Sequence, residues 1–285
     1  MNRYTIFADI AGRVSLDTTG NPRVTAAAVI IESIRVEEVR TMLPPSLPKW
    51  QACSVEAAER VVRLIASEAA SVAAVSIDRD TPAWKQFWKD AEGFQAAIVA
   101  QDRHPAGFAK AANITVFWLF GCAFALAIAH AIKTGSRDRL VDHLGRELIE
   151  RSIVCDSDIQ GPDNIATFQS FWDRHDNSQP LAERLGLRFT TRSVQVTTEQ
   201  QEPMLLLADY VAGIVHMALL TNPGRISPPL PDEETKRLFE VLGSSEKTLV
   251  HSDSFALNYS DIFGEVLRHV DEDSRCRQGG PPDRP

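Results

Sequence analysis

Apolar residues follow two spacings along the chain, one typical of strands and one typical of helices. Short runs rich in Val, Ile and Ala, bounded by Gly, Pro, Asn or Asp, are typical of buried strands. Apolar residues three and four positions apart are typical of helices. The runs predict strands at residues 3–9, 24–31, 71–78, 151–156 and 187–196. The helical spacing predicts a helix from Thr81 and others at residues 33–42, 54–70, 114–132, 136–151, 162–175, 203–220, 231–242 and 260–269.

The order of these elements predicts an α/β domain. Residues 17–22, DTTGNP, favour a chain reversal, so the first two strands should form an antiparallel hairpin. Helices separate the later strands, which is typical of a sheet with parallel strands. We expect a mixed sheet flanked by helices, with helical insertions, in the element order of a ribonuclease H-like fold. Residues 1–270 are expected to form this single domain, and residues 271–285, rich in Gly and Pro, are predicted to be disordered.

The segment 114–132, ITVFWLFGCAFALAIAHAI, has two interpretations. It is almost free of polar groups and has about the length of roughly 20 residues that crosses a bilayer. It also fits a helix buried on all sides within a large domain. The second interpretation is favoured, because the rest of the chain has ordinary globular patterning, and no membrane association is expected.

Composition narrows the function classes. The 285 residues are 44% hydrophobic and 24% charged, with a formal net charge of −8, so any nucleic-acid binding must come from a local patch. No two of the four cysteines form a C-x-x-C pair, which excludes the zinc-ribbon and thioredoxin-type motifs. The start, MNRYTIFAD, lacks the pattern of a secretory signal, and a cytoplasmic location is expected.

Three aspartates stand at the end of, or inside, apolar segments. They are Asp9 in YTIFAD, Asp156 in RSIVCD and Asp209 in PMLLLADYVAG. A carboxylate at the rim of a core is costly unless a metal or a hydrogen-bond donor meets it. Aspartate is also common at strand ends and on solvated helix faces, so each residue alone is weak evidence. Together they fit a site for a hard divalent cation.

Several segments resemble the domain-of-unknown-function 3800 family. The opening FADIAG with the strand VTAAAVII is similar to that family's D-E-S-G opening and following strand. PMLLLADYVAG is similar to its closing helix with A-D-x-x-A-G, and IVCD is similar to its central strand. Lys49 and Trp50 resemble its E-x-K-W element. The resemblance covers roughly residues 3–220, and the closing helix is its most specific part.

The resemblance implies a ribonuclease H-like fold and a metal-dependent nuclease or another nucleic-acid-processing role. It also implies a place in bacterial defence or on mobile elements. Carried over residue by residue, it makes Asp9, Asp156 and Asp209 the catalytic metal ligands. The implied cofactor is Mg²⁺ or Mn²⁺, and the implied partner is DNA or RNA.

The chain departs from this family at two acidic positions. Ile10 follows the first aspartate, and Leu47 and Pro48 precede the Lys-Trp pair, where the family usually has acids. Two cations held about 4 Å apart need several anionic ligands, so the site is expected to hold one metal well and a second only weakly. Three residues are candidate replacements or additions: Asp158, Glu202 and His216. Glu202 is equally explained as a charge at a helix start, and His216 as a core residue.

Two hypotheses follow. The first is an enzyme that hydrolyses phosphodiester bonds with the help of Mg²⁺ or Mn²⁺; the surviving aspartates favour it. The second is a catalytically reduced protein that keeps the fold and acts as a binding or assembly subunit, with a protein partner or as a homo-oligomer. The missing acids and the acidic net charge favour the second.

Overall fold

A mixed sheet of six strands organises the described part of the chain. The computed structural model describes residues 2–14, 23–100, 110–134, 145–157, 165–166, 187–220 and 228–251. The strands are β1 (Asn2–Gly12), β2 (Arg23–Glu32), β3 (Ser71–Asp78), β4 (Glu147–Asp156), β5 (Leu187–Thr197) and β6 (Thr248–His251). Their spatial order is β5-β4-β1-β2-β3-β6.

The strand directions are those of a ribonuclease H-like sheet. β1, β2 and β3 form an antiparallel meander. β4 joins the other side of β1 in parallel, β5 joins β4 in parallel, and β6 runs parallel to β3 at the far edge. The predicted α/β class, the antiparallel opening and the later parallel strands are therefore confirmed.

Helices cover both faces of the sheet. Within the described ranges the α-helices are α1 (Val36–Met42), α2 (Val55–Glu68), α3 (Pro82–Val99), α4 (Ala111–Thr134), α5 (Leu205–Ala218) and α6 (Asp232–Gly243). The face that packs against α3 and α4 is called the α4 face. The opposite face, which packs against the remaining four helices, is called the α5 face.

Strand alternation decides which residues reach the α5 face. In β1, Ile6, Ala8 and Ile10 belong to the apolar cluster on the α4 face, whereas Phe7 belongs to the cluster on the α5 face. Because successive side chains point to opposite faces, Asp9 shares the α5 face with Phe7. The same rule holds in β4, where Cys155 lies on the α4 face, so Asp156 lies on the α5 face.

The apolar segment 114–132 lies in α4, which is a buried core helix. By length and composition α4 is the one helix in the described ranges that could cross a membrane. However, 82% of its window Ala111–Ile128 is buried, against β2 and β3 among other elements. The interpretation as a core helix is confirmed.

The predicted helix at 136–151 is wrong at its end, because residues 147–151 belong to β4. Their Glu, Leu and Arg content favours a helix. Pairing with β1 on one side and β5 on the other overrides this local preference and stabilises a strand. The short strand β6 lies where an irregular stretch was expected. The turn at 17–22, most of the helix at 162–175, the helix at 260–269 and the tail at 271–285 lie outside the described residues.

Candidate metal centre

Asp9 and Asp156 are neighbours at the carboxyl edge of the sheet. Ala8 pairs with Cys155 in the parallel ladder of β1 and β4, so the next position on each strand places the two aspartates side by side. Both side chains are buried, with 5% and 8% of the residue surface exposed. Each carboxylate accepts a hydrogen bond from the next backbone N–H, at 2.6 Å from Ile10 and 2.7 Å from Ser157.

Glu199 supplies the third carboxylate of this cluster. Asp156 pairs with Thr197 at the end of β5, and Glu199 follows two residues later, with 7% of its surface exposed. One carboxylate oxygen from each of Asp9, Asp156 and Glu199 lies within 4.8 Å of the other two. These three residues are called the carboxylate triad below. Sequence reasoning missed Glu199, because β5 is mostly polar and so lacks the apolar run that identified Asp156.

Asp209 lies beside the triad on α5 and is bound to a different segment. Its Oδ2 accepts a hydrogen bond from the backbone N–H of Trp50 at 2.7 Å. Burial raises the pKa of Asp209 to about 6; the Trp50 bond and Lys49 oppose the increase, while the charges of Glu199 and Asp156 add to it. The charge of the triad therefore affects the pKa of Asp209. However, the cluster of close carboxylate oxygens contains Glu199 and not Asp209. The assignment of Asp209 as a direct ligand stays a prediction.

The centre carries more negative charge than its surroundings offset. Burial also raises the pKa of Asp156, and the charge of Glu199 adds to the increase. Two carboxyl groups with raised pKa values in one place mean that their ionised forms repel and are poorly solvated. A bound cation would relieve both effects.

Lys49 is a cation that the described part of the chain places in this centre. Its Nζ forms an ion pair with Oε1 of Glu199, while 55% of the Lys49 side chain stays exposed. Burial lowers the pKa of Lys49, but the hydrogen bond and the charge of Glu199, with further attraction from Asp156 and Asp209, outweigh it and raise the pKa overall.

The segment around Lys49 is locked onto α5. The Trp50 ring is buried and packs edge-on against Tyr210, with ring centroids 5.8 Å apart. The Tyr210 hydroxyl donates a hydrogen bond to the carbonyl of Pro48 at 2.9 Å. A Cβ on Gly213 would lie 2.2 Å from Cδ1 of Trp50, so glycine is required there. Two of the segments that carry the resemblance, LPKW and ADYVAG, are therefore in direct contact.

Two further acidic candidates were predicted, Asp158 and Glu202. Asp158 is outside the described residues. Glu202 forms an ion pair with Arg40 at 2.7 Å and accepts a hydrogen bond from the Met204 N–H at 3.1 Å, which fits the interpretation as a charge at a helix start.

His216 is a buried residue in a separate polar group. Its Nδ1 lies 3.3 Å from Oγ1 of Thr25. Burial lowers its pKa to about 4, with further lowering by Arg23 and Arg79. This environment fits the interpretation of His216 as a core residue.

The residues present fit a hard divalent cation. Mg²⁺ and Mn²⁺ prefer oxygen ligands, and the triad offers carboxylate oxygens from three separate parts of the chain. Ile10 does not block the site, because its side chain packs on the α4 face. The departure from the family pattern at Ile10 therefore removes no carboxylate from the α5 face.

Comparisons with known proteins add a structural similarity. No family model and no curated protein matches the sequence. The chain is similar to the crystal structure of the ribonuclease H2 from Pyrococcus horikoshii OT3, with 9% identity and a TM-score of 0.35, over 85% of this chain and 99% of that chain.

Proposed function

We propose that this protein is a divalent-metal-dependent nuclease that hydrolyses phosphodiester bonds in DNA or RNA. The observation that carries the proposal is the triad: three buried carboxylates from three chain segments lie within 4.8 Å of one another. The mixed sheet supports it, because its topology brings the carboxyl ends of β1 and β4 together.

The residues of the centre take distinct roles in this proposal. Asp9, Asp156 and Glu199 would hold Mg²⁺ or Mn²⁺. When bound, such a cation would supply activation of water and stabilisation of the negative charge that develops on the phosphoryl and leaving oxygens. Asp209 adds negative charge and fixes the Lys49 segment through the Trp50 N–H. Lys49, exposed over the triad, is placed to attract a phosphate group.

We also propose membership of the domain-of-unknown-function 3800 family. The contact between LPKW and ADYVAG supports it, because both segments carry the resemblance. A cytoplasmic location, a protein partner and a homo-oligomer stay predictions from the sequence.

A second candidate function is a binding or assembly subunit without catalysis. The ion pair between Lys49 and Glu199 favours it, because a lysine can offset part of the charge of an acidic site that no longer binds metal.

Nuclease assays separate the two functions. Purified protein is incubated with single- and double-stranded DNA and RNA, with Mg²⁺, Mn²⁺ or EDTA. We expect metal-dependent cleavage that falls at least about 100-fold in Asp9→Asn and Glu199→Gln. Glu202→Gln is the matched control, since it neutralises an acid outside the triad, and it should retain activity. No cleavage of any substrate with either metal would contradict the nuclease and support the binding subunit.

A further inference from the structure

Lys49 is held over the carboxylate triad by the residues on both sides of it. The Pro48 carbonyl accepts the Tyr210 hydroxyl hydrogen bond, and the Trp50 N–H donates to Asp209. Because α5 holds both neighbours, the backbone of Lys49 has little freedom. The position of the ammonium group is therefore restricted, because the segment that carries Lys49 is fixed to α5.

The ammonium group of Lys49 interacts with the carboxylates of Glu199, Asp156 and Asp209. It contacts Glu199 directly, and Asp156 and Asp209 attract it as well. Glu199 therefore has two roles: it is a candidate metal ligand of the triad, and it is the ion-pair partner of Lys49.

Charge decides how many divalent cations this arrangement accepts. The centre contains four carboxylates, three from the triad and one from Asp209, and the ammonium group of Lys49. Together they carry a formal charge of −3 when all are ionised. One divalent cation brings the centre close to neutrality and leaves it slightly negative. A second would make it positive, and two divalent cations would have to lie about 4 Å apart with the ammonium beside them.

We propose that Lys49 takes the place of a second divalent cation, so that this centre binds one metal ion where a two-metal arrangement would otherwise form. The inference rests on the proposed metal site and specifies its stoichiometry. Lys49 acts as a positioning residue, because it sets the occupancy of the centre through Glu199.

Calorimetric titration of the full-length protein with Mn²⁺ tests this inference. Wild type should bind one Mn²⁺. Lys49→Gln removes the ammonium and should bind two, with the first bound about tenfold more tightly, which corresponds to roughly 1.4 kcal/mol. Lys49→Arg keeps the charge and should again bind one. Lys236→Gln, an exposed lysine on α6, is the matched control and should bind one.

Electron paramagnetic resonance provides a second readout that a purely structural role would not change. One Mn²⁺ in wild type should show the six-line spectrum of an isolated ion, whereas two adjacent ions in Lys49→Gln should show a spin-coupled spectrum. If Lys49→Gln does not fold, Lys49→Met provides the same loss of charge with an apolar chain of similar length.

The outcomes separate this inference from the proposed function. Two Mn²⁺ ions in wild type, or one in both folded neutral variants, would contradict the inference and leave the metal site intact. No Mn²⁺ bound by wild type would contradict the proposed function, and the inference with it.

Discussion

Replacing Asp209 with asparagine should stabilise the metal-free protein at neutral and alkaline pH. The pKa of Asp209 rises from its ordinary value of 3.8 to about 6 in the fold, mainly through burial. Each unit corresponds to 1.36 kcal/mol, so the ionised carboxylate costs roughly 3 kcal/mol of folding free energy. Asparagine resembles the protonated acid and still accepts the Trp50 N–H bond, so Asp209→Asn should gain about 2 to 3 kcal/mol.

The pH dependence of this gain follows from the direction of the pKa change. Below pH 3.8 the carboxyl group is protonated in both the folded and the unfolded chain, and it contributes no difference. Between 3.8 and about 6 the unfolded chain loses the proton while the folded protein keeps it, so the wild type loses stability as the pH rises. Above about 6 the cost is constant.

Urea unfolding in EDTA at a series of pH values measures the effect. Asp209→Asn should exceed wild type in unfolding free energy at pH 8 and match it near pH 3. Asp90→Asn, an exposed aspartate on α3, is the control and should show no such trend. If Asp209→Asn is no more stable than wild type at pH 8, the claim that the ionised Asp209 carboxylate destabilises the metal-free fold is refuted.

Three further predictions concern the surroundings of the centre. Gly213→Ala places a Cβ against Trp50 and should lower the unfolding free energy in urea by about 2 kcal/mol; an unchanged midpoint would contradict the packing. Glu202→Gln weakens the pair with Arg40 and should cost roughly 1 kcal/mol without changing Mn²⁺ affinity in calorimetry; weaker binding would make Glu202 a ligand. The imidazole of His216 should titrate near pH 4 in nuclear magnetic resonance spectra, because burial and two arginines disfavour its charged form; a midpoint near 6.5 would contradict this.

The central strands could be predicted because burial leaves a simple pattern. β2 and β3 are covered on both faces, so they appear in the sequence as continuous apolar runs. The start of β4 carries Glu147, Glu150 and Arg151, and its strand character depends on neighbours that no local pattern reveals. β6 has four residues, too few for any periodicity, and is defined by its pairing with β3.

The centre could be predicted only where its residues follow strands with strong patterns. Asp9 and Asp156 end apolar runs, and the order of the strands places them together. Glu199 follows a mostly polar edge strand in the segment TTEQ, which has the composition of a turn. Its role depends on β5 lying next to β4, which is a tertiary fact. The contact between Lys49 and Glu199 joins two distant segments and leaves no local signal.

A crystal structure of the protein with Mn²⁺, using anomalous scattering at the manganese edge, tests the metal centre most directly. We expect an anomalous peak within about 2.2 Å of carboxylate oxygens from Asp9, Asp156 and Glu199. Crystals in saturating Mn²⁺ that show no peak at the triad, or a peak bound only by other residues, would contradict it.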